Sequence, residues 1–293
     1  MTFLSYLING LSLGSVYAII ALGYTMVYGI SKMLNFAHGD VIMVGAYVCF
    51  FATFHWNLPP VVGVLLAMVV CTILGVLIER LAYKPLRSAP SLAVLITAIG
   101  VSYFLQNAAQ LLWTSNPKIF TSVVGDASIK LFGGQLSISV IAIVTVAACI
   151  VIMSALTWFT GKTKMGKAMR ACSEDKGAAQ LMGISVNYTI SVTFAIGSAL
   201  AAIAGVLLCS AYSTLMPTTG SMPGIKAFTA AVFGGIGSIP GAMIGGILLG
   251  VIEIFGKGYI STQLSDAIVF AVLIIVLLVK PTGLLGKQVN EKV

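Results

Sequence analysis

The sequence predicts an all-α, polytopic integral membrane protein, and three observations carry that prediction. Of 293 residues, 59% are hydrophobic and 8% charged, against about 25% charged in soluble domains, and the mean hydropathy is +1.06. The apolar residues fall in long runs, several of which meet the roughly 20 residues that one helix needs to cross a bilayer core. The alternating segments of about ten residues that a membrane barrel requires are absent.

Nine candidate spans succeed one another along the chain. Tyr6–Ile30 comes first, with Gly10, Gly14 and Ala18 recurring every four positions, a ladder that lets helix backbones approach closely where lipid gives no hydrophobic drive to association. It has no basic segment ahead of it and is long enough to span, so it reads as a helix rather than a cleaved signal. Ala37–Phe54 is entered through LNFAHGD, which places Asn35, His38 and Asp40 together. Val61–Ile78 is apolar throughout. Leu92–Trp113 carries Gln106, Asn107 and Gln110, with Gln106 and Gln110 on one helical face. Leu136–Thr160 and Tyr188–Tyr212 flank the most polar part of the chain.

The last three spans are less regular. Gly224–Gly237 is too short to cross unaided, and it forms either a crossing or half of a re-entrant hairpin with Gly241–Gly256; Leu264–Val279 ends the series. The expected count is therefore about eight or nine helices. Small residues recur again at Gly237, Gly241 and Gly245 and at Gly246 and Gly250. Close to Pro217, Pro223 and Pro240, these glycine-rich helices are expected to be interrupted and to line a cavity. Lys226, Glu253 and Asp266 lie in this region. Buried ionisable groups in a membrane are costly and face a bundle interior or water, and Glu253 has Lys257 four residues on, a spacing for an ion pair.

Basic residues set the orientation. Arg80, Lys84 and Arg87 form one group, Lys162, Lys164, Lys167, Arg170 and Lys176 a second, and Lys280, Lys287 and Lys292 a third. Placing all three in the cytoplasm gives a consistent alternation, with the N-terminus and the loop 116–135 outside. This bias accounts for the net charge of +8 as topology and contact with anionic membrane lipid, not nucleic-acid binding. Of five cysteines, none makes a C-x-x-C pair, and Cys49, Cys71, Cys149 and Cys209 sit inside apolar spans. Nothing calls for a metal, a disulfide framework or any other cofactor.

Catalytic patterns are also missing. Two histidines and no H-E-x-x-H or G-x-S-x-G arrangement leave no enzyme centre to assign. Gly161-Lys162-Thr163 looks like the end of a phosphate-binding loop, but Leu156 stands where its first glycine belongs and an apolar run replaces the strand. The chain is expected to have no ATP site of its own.

The most specific segment is a polar island, Gly161–Gly183, which holds seven of the 24 charged residues. The flanks 131–160 and 184–225 carry none. Met165, Ala168, Met169 and Cys172 fall at i, i+3, i+4 and i+7, the face of a short amphipathic helix. Ser173 is placed to cap a second helix with Glu174 and Asp175 in its first turn, and Gly183 to end it. Ala178, Ala179, Leu181 and Met182 would offer small and apolar surface to a partner.

These stretches resemble the permease subunit of branched-chain amino-acid ABC importers, of the LivH type. The matching residues are NGLSLGSVYAIIALGYTMVYG, LNFAHGD, ERLAYKPLR, ITAIGVSYFLQN, MRACSEDKGAAQLMGI and GIKAFTAAVFGGIGSIPGAMIGGILLGVIE, with KPTGLLG at the end. The resemblance implies one transmembrane permease domain over 1–293, with a cytoplasmic loop at 161–187 whose coupling helix docks on an ATPase through Arg170, Glu174, Asp175, Ala179 and Gly183. It implies alternating access driven by ATP, a second permease of the LivM type, two cytoplasmic ATPase subunits and an extracytoplasmic substrate-binding protein. Asn35, His38, Asp40, Gln106, Asn107, Gln110 and Glu253 are the candidate translocation path. Permeases for urea, amides or other amino acids share much of the pattern. A gradient-driven secondary transporter would use Asp40, Glu253 or Asp266 as an ion site instead.

Overall fold

The computed structural model describes residues 2–87, 89–125, 127–131 and 136–286, so Lys287 and Lys292 of the third basic group lie outside the described residues. Helix α1 (Thr2–Ser31) is the axis of the bundle. Its side chains are buried almost without a break from Leu13 to Val27, as expected of a helix that is hydrophobic on all faces. Around it come α2 (His38–Phe54), α3 (Pro60–Ile78), α4 (Ser91–Trp113), α5 (Val140–Lys162), α6 (Lys164–Glu174), α7 (Lys176–Leu181), α8 (Val186–Tyr212), α9 (Ser221–Gly234), α10 (Ile239–Tyr259) and α11 (Ser265–Val279). Among the described residues six helices are long and apolar enough to cross a membrane (α1, α3 with its continuation, α4, α5, α8, α10), and α2 and α11 are shorter apolar helices.

The fifth span starts later than its apolar run. Leu136–Ser139 is not helical but forms β3, which pairs antiparallel with β2 (Ser128–Leu131) in the loop before α5. The alternation of serine and apolar residues in LSIS suits a strand, and Val140 is where continuous helix begins. In the same end of the bundle β1 (Lys118–Ile119) pairs with β4 (Thr214–Leu215).

Helix α3 leaves its regular path through one π turn, Glu79–Tyr83, and a 3-10 turn, Lys84–Leu86. On its outer face Val61, Leu65, Val69, Ile73 and Leu77 are all exposed. At a four-residue spacing this is one stripe, and it is fit for lipid.

The chain repeats itself upside down. Helix α1 ends at Ser31, Lys32 turns with φ +58, and the connection 32–37 re-enters the bundle before α2 begins. Helix α8 ends at Tyr212, Ser213 turns with φ +53, and 213–220 re-enters from the other end before α9. Packing obeys the same exchange: α1 lies on α10 as α8 lies on α3, and α9 meets α1 as α2 meets α8. Aligning Gly39 with Gly220 sets GDVIMVGAY over GSMPGIKAF.

This resolves the irregular seventh span. Helix α9 starts inside the bundle and runs out through Gly235 and Gly237, both at positive φ. It is a half-helix and not one arm of a hairpin, because α10 after it is a full 21-residue helix, about 31 Å at 1.5 Å per residue. Helix α10 runs antiparallel to α1 through the expected glycine ladders. A Cβ on Gly250 would fall on the backbone of Gly14, and one on Gly14 would lie 2.7 Å from Ile247 Cα, so the two backbones touch.

Candidate functional site

The two re-entrant half-helices meet end to end. A Cβ on Gly39 would lie 2.7 Å from the carbonyl oxygen of Gly220 and 3.5 Å from Gly224 Cα, so only glycine permits this approach. The first turns of α2 and α9 are thereby brought together, and helix N-termini favour negative charge. Asp40 supplies it. Its carboxylate is 1% exposed, and its Oδ1 accepts from Gln106 Nε2 at 2.9 Å. The same amide donates to Ser221 Oγ and Ser102 Oγ, each at 3.2 Å, so Gln106 joins α2, α4 and α9. His38 packs edge-to-face on Tyr24 at 4.6 Å. Asn35 is held in the re-entrant connection, its Oδ1 accepting from Tyr83 OH at 2.9 Å.

The expected path residues therefore separate. Asn35, His38, Asp40 and Gln106 cluster at the junction. Asn107 and Gln110 do not: both are exposed on α4, and Asn107 Nδ2 donates to Tyr103 O one turn back at 2.7 Å. Gln110 shares a nominal face with Gln106, but α4 touches the bundle along one narrow line and Gln110 falls beside it.

Glu253 belongs to a second cluster, towards the end of the bundle where β1 and β4 lie. It is 1% exposed. Lys226 Nζ donates to its Oε1 at 2.8 Å, Lys257 Nζ to the same oxygen at 2.6 Å, and Tyr17 OH to Oε2 at 2.8 Å. Lys226 also pairs with Asp266 Oδ1 at 2.6 Å. The i,i+4 pair with Lys257 was legible from spacing; the larger network from α1, α9, α10 and α11 was not. A cavity of about 260 Å³ opens beside it.

The island packs at the opposite, basic end. Thr163 Oγ1 accepts from Gly166 N at 2.9 Å and caps α6, and Met169 and Cys172 turn inward as the amphipathic pattern requires. The second cap differs from expectation. Ser173 and Glu174 are still in α6, with Ser173 Oγ donating to Arg170 O. Asp175 is the cap of α7 and accepts from Gly177 N at 2.7 Å and Ala178 N at 3.0 Å. Ser173 lies within α6, two residues ahead of the extended position from which a cap side chain reaches the first N–H groups of α7, and Asp175 occupies that position. Gly183, at φ +80, closes α7: its N–H reaches Gln180 O and the next N–H, of Ile184, reaches Ala179 O, both at 3.0 Å, a Schellman arrangement.

Exposure sorts the island's remaining positions. Arg170 is exposed and donates to Gly161 O at 3.2 Å. Ala179 is buried, 3% exposed, and so seats α7 against its own chain, while Leu181 and Met182 stand at 90% and 81% exposure. Sequence reading missed Glu79, which is fully buried, ion-paired to Arg87 and bonded by Ser191 Oγ at 2.7 Å. It also missed Lys176, whose Nζ donates to Ser31 O at 2.7 Å. Burial, then the nearby Arg87 and Lys32 charges, hold the Lys176 ammonium below the usual lysine pKa. The signal for Glu79 was an acid inside an otherwise basic motif, ERLAYKPLR.

The family model described as the branched-chain amino acid transport system / permease component matches residues 6–277. The chain is 47% identical to the high-affinity branched-chain amino acid transport system permease protein LivH of Salmonella typhimurium, covering 99% of this chain and 98% of that one. It is 46% identical to BraD of Pseudomonas aeruginosa, a permease protein of the same description, with the same coverage. A probable branched-chain amino acid transport permease, LivH of Methanocaldococcus jannaschii, is 31% identical over 92% of this chain and 88% of its own.

Proposed function

The chain belongs to the branched-chain amino acid transport permease family, and from that premise we propose how its parts work. It is a multi-pass protein of the cell membrane and the permease component of an ABC importer for branched-chain amino acids. The observation that carries this is near-half identity, sustained over almost the whole of both chains, with permeases of that description.

The chain itself supplies a path and a lever, and neither binds nor hydrolyses ATP. Two cytoplasmic ATPase subunits of the LivG and LivF type turn over nucleotide, a second permease of the LivM type completes the path, and an extracytoplasmic binding protein delivers the substrate. The basic end of the bundle faces the cytoplasm, in keeping with three groups of Lys and Arg. There α7 is the coupling helix. Asp175 and Gly183 fix its two ends, Ala179 anchors it, and Leu181 and Met182 enter the ATPase groove. Arg170 and Glu174 flank that contact. The exposed amides of Asn107 and Gln110 lie on the face of α4 covered by the second permease, since a membrane helix does not leave such groups in lipid.

Asp40, Gln106, His38 and Asn35 form the central constriction. In an inverted repeat, one half opens to one side while the other closes, and the half-helix junction is the fixed point between them. The test is uptake of labelled leucine into proteoliposomes holding both permeases and both ATPases, with binding protein outside and ATP inside. Competition by isoleucine and valine, with none by urea or short amides, is the expected result. Uptake competed by urea or amides instead would reassign the substrate.

A further inference from the structure

The lysines of the cavity beside Glu253 have unused hydrogen-bonding capacity. A lysine ammonium carries three N–H donors. Lys226 uses one on Glu253 and one on Asp266, and Lys257 uses one on Glu253. One N–H of Lys226 and two of Lys257 have no partner among the described residues, and both side chains line the cavity. Glu253, by contrast, has both oxygens engaged. Asp266 stands behind the lining, paired to Lys226 through Oδ1 with its second oxygen open and its side chain 43% exposed. The rest of the wall sets apolar Leu13, Leu208, Met222 and Pro223 beside the hydroxyl-bearing Tyr212, Thr214 and Thr219.

The volume, about 260 Å³, is below the range of roughly 300–1,000 Å³ typical of drug-sized ligands, so a small solute fits. An aliphatic side to the wall, a cluster of open N–H donors and a carboxylate adjoining Lys226 match a small zwitterion with an aliphatic side chain. We propose that this cavity is a low-affinity subsite for the incoming amino acid, in which Lys226 and Lys257 bind its carboxylate and Asp266 its ammonium. The subsite rests on the permease reading above and adds to it a place where substrate is held on the external side, between the binding protein and the central constriction. Glu253 and Tyr17 take no part in binding; they hold the two ammonium groups in place. Net charge in the cluster is balanced, so a neutral zwitterion enters without leaving an uncompensated buried charge.

The five native cysteines are all buried, and Met222 lines the cavity while 45% exposed. A Met222→Cys variant of the assembled complex, in proteoliposomes without binding protein, can be labelled from outside with a membrane-impermeant maleimide. Millimolar L-leucine should slow labelling several-fold. Isoamylamine, which lacks the carboxylate, should not, and 4-methylpentanoate, which lacks the ammonium, should act only weakly. Adding Lys257→Met should abolish protection, while Lys257→Arg should keep it. Lys257 is a partly exposed residue and Glu253 keeps Lys226 in either variant. Absence of labelling, absence of protection by leucine, or protection by isoamylamine equal to that by leucine would overturn the subsite. Leucine uptake by the same vesicles, with loaded binding protein added, reports separately on the permease reading: uptake without protection sinks the subsite alone.

Discussion

Lys176 and Ser31 tie the polar island to the re-entrant connection. Lys176 is the first residue of α7, and its ammonium donates to the carbonyl of the last residue of α1 at 2.7 Å. Immediately after Ser31 the chain turns at Lys32 and re-enters the bundle towards Asn35, His38 and Asp40. A displacement of α7 is thus applied directly to the connection that leads into the half-helix junction.

The Lys176→Met variant should therefore assemble with its ATPases but transport poorly. Because burial and neighbouring cations already disfavour its charge, removing that charge should leave thermal stability of the permease close to wild type. The readout is ATP hydrolysed per leucine imported, which should rise, with Lys176→Arg restoring the ratio. An unchanged ratio in the methionine variant would mean that α7 acts by another route.

The exposed tip of α7 makes a different demand. Leu181 and Met182 are too exposed to support the fold, so Leu181→Asp should leave expression and membrane insertion normal while recovery of ATPase subunits in pull-downs falls. Ala179→Trp should instead damage the permease itself, since the position is buried; overpacking of this type costs about 1–3 kcal/mol. If both variants lose ATPase equally with unaltered melting, Ala179 faces the partner after all.

At the junction, Gln106→Leu removes the donor to a buried Asp40 carboxylate, and should lower permease stability by about 1–3 kcal/mol. Replacing both residues, Asp40→Leu with Gln106→Leu, should recover most of that loss, because no buried carboxylate is left without its donor and the Ser102 and Ser221 hydroxyls can still donate elsewhere. A thermal-melt double-mutant cycle measures this. Additive losses would show that the 2.9 Å contact contributes nothing.

Gly250→Leu probes the α1–α10 seam. A side chain there meets the Gly14 backbone, which cannot give way as a flexible side chain could, so folded yield in detergent should collapse. A Gly100→Leu change on α4 meets nothing within 4 Å and should be silent. Equal yields would contradict the close packing of these two helices.

Much of this architecture was legible in the sequence because membrane helices announce themselves by length and apolarity, and the starts of α2, α3, α4 and α11 fell within one residue of their runs. Hydropathy could not separate β3 from α5, since Leu136 and Ile138 merge with the apolar run VIAIV that begins the helix. The inverted repeat escaped notice because its signal is faint, GDVIMVGAY against GSMPGIKAF. It becomes visible only when Gly39 and Gly220 are known to touch. Site residues obeyed the same rule. Asp40 and Glu253 stood out as acids in apolar helices. Their partners Tyr17, Ser221 and Tyr83 are residue types that membrane helices carry for many reasons. Helix-face arithmetic misplaced Gln110 because a helix touching the bundle on one line buries a narrower stripe than a central one.

If ATP and not an ion gradient drives this permease, uptake must follow hydrolysis and ignore the gradients. Leucine uptake and ATP hydrolysis are measured together in sealed proteoliposomes carrying the full complex with loaded binding protein, before and after proton and sodium gradients are collapsed at constant ATP. Leucine-dependent hydrolysis with uptake undiminished by the collapse is the predicted result. Uptake that vanishes with the gradients, or persists without ATP, would contradict it and turn Asp40 and Asp266 into candidate ion sites of a secondary transporter.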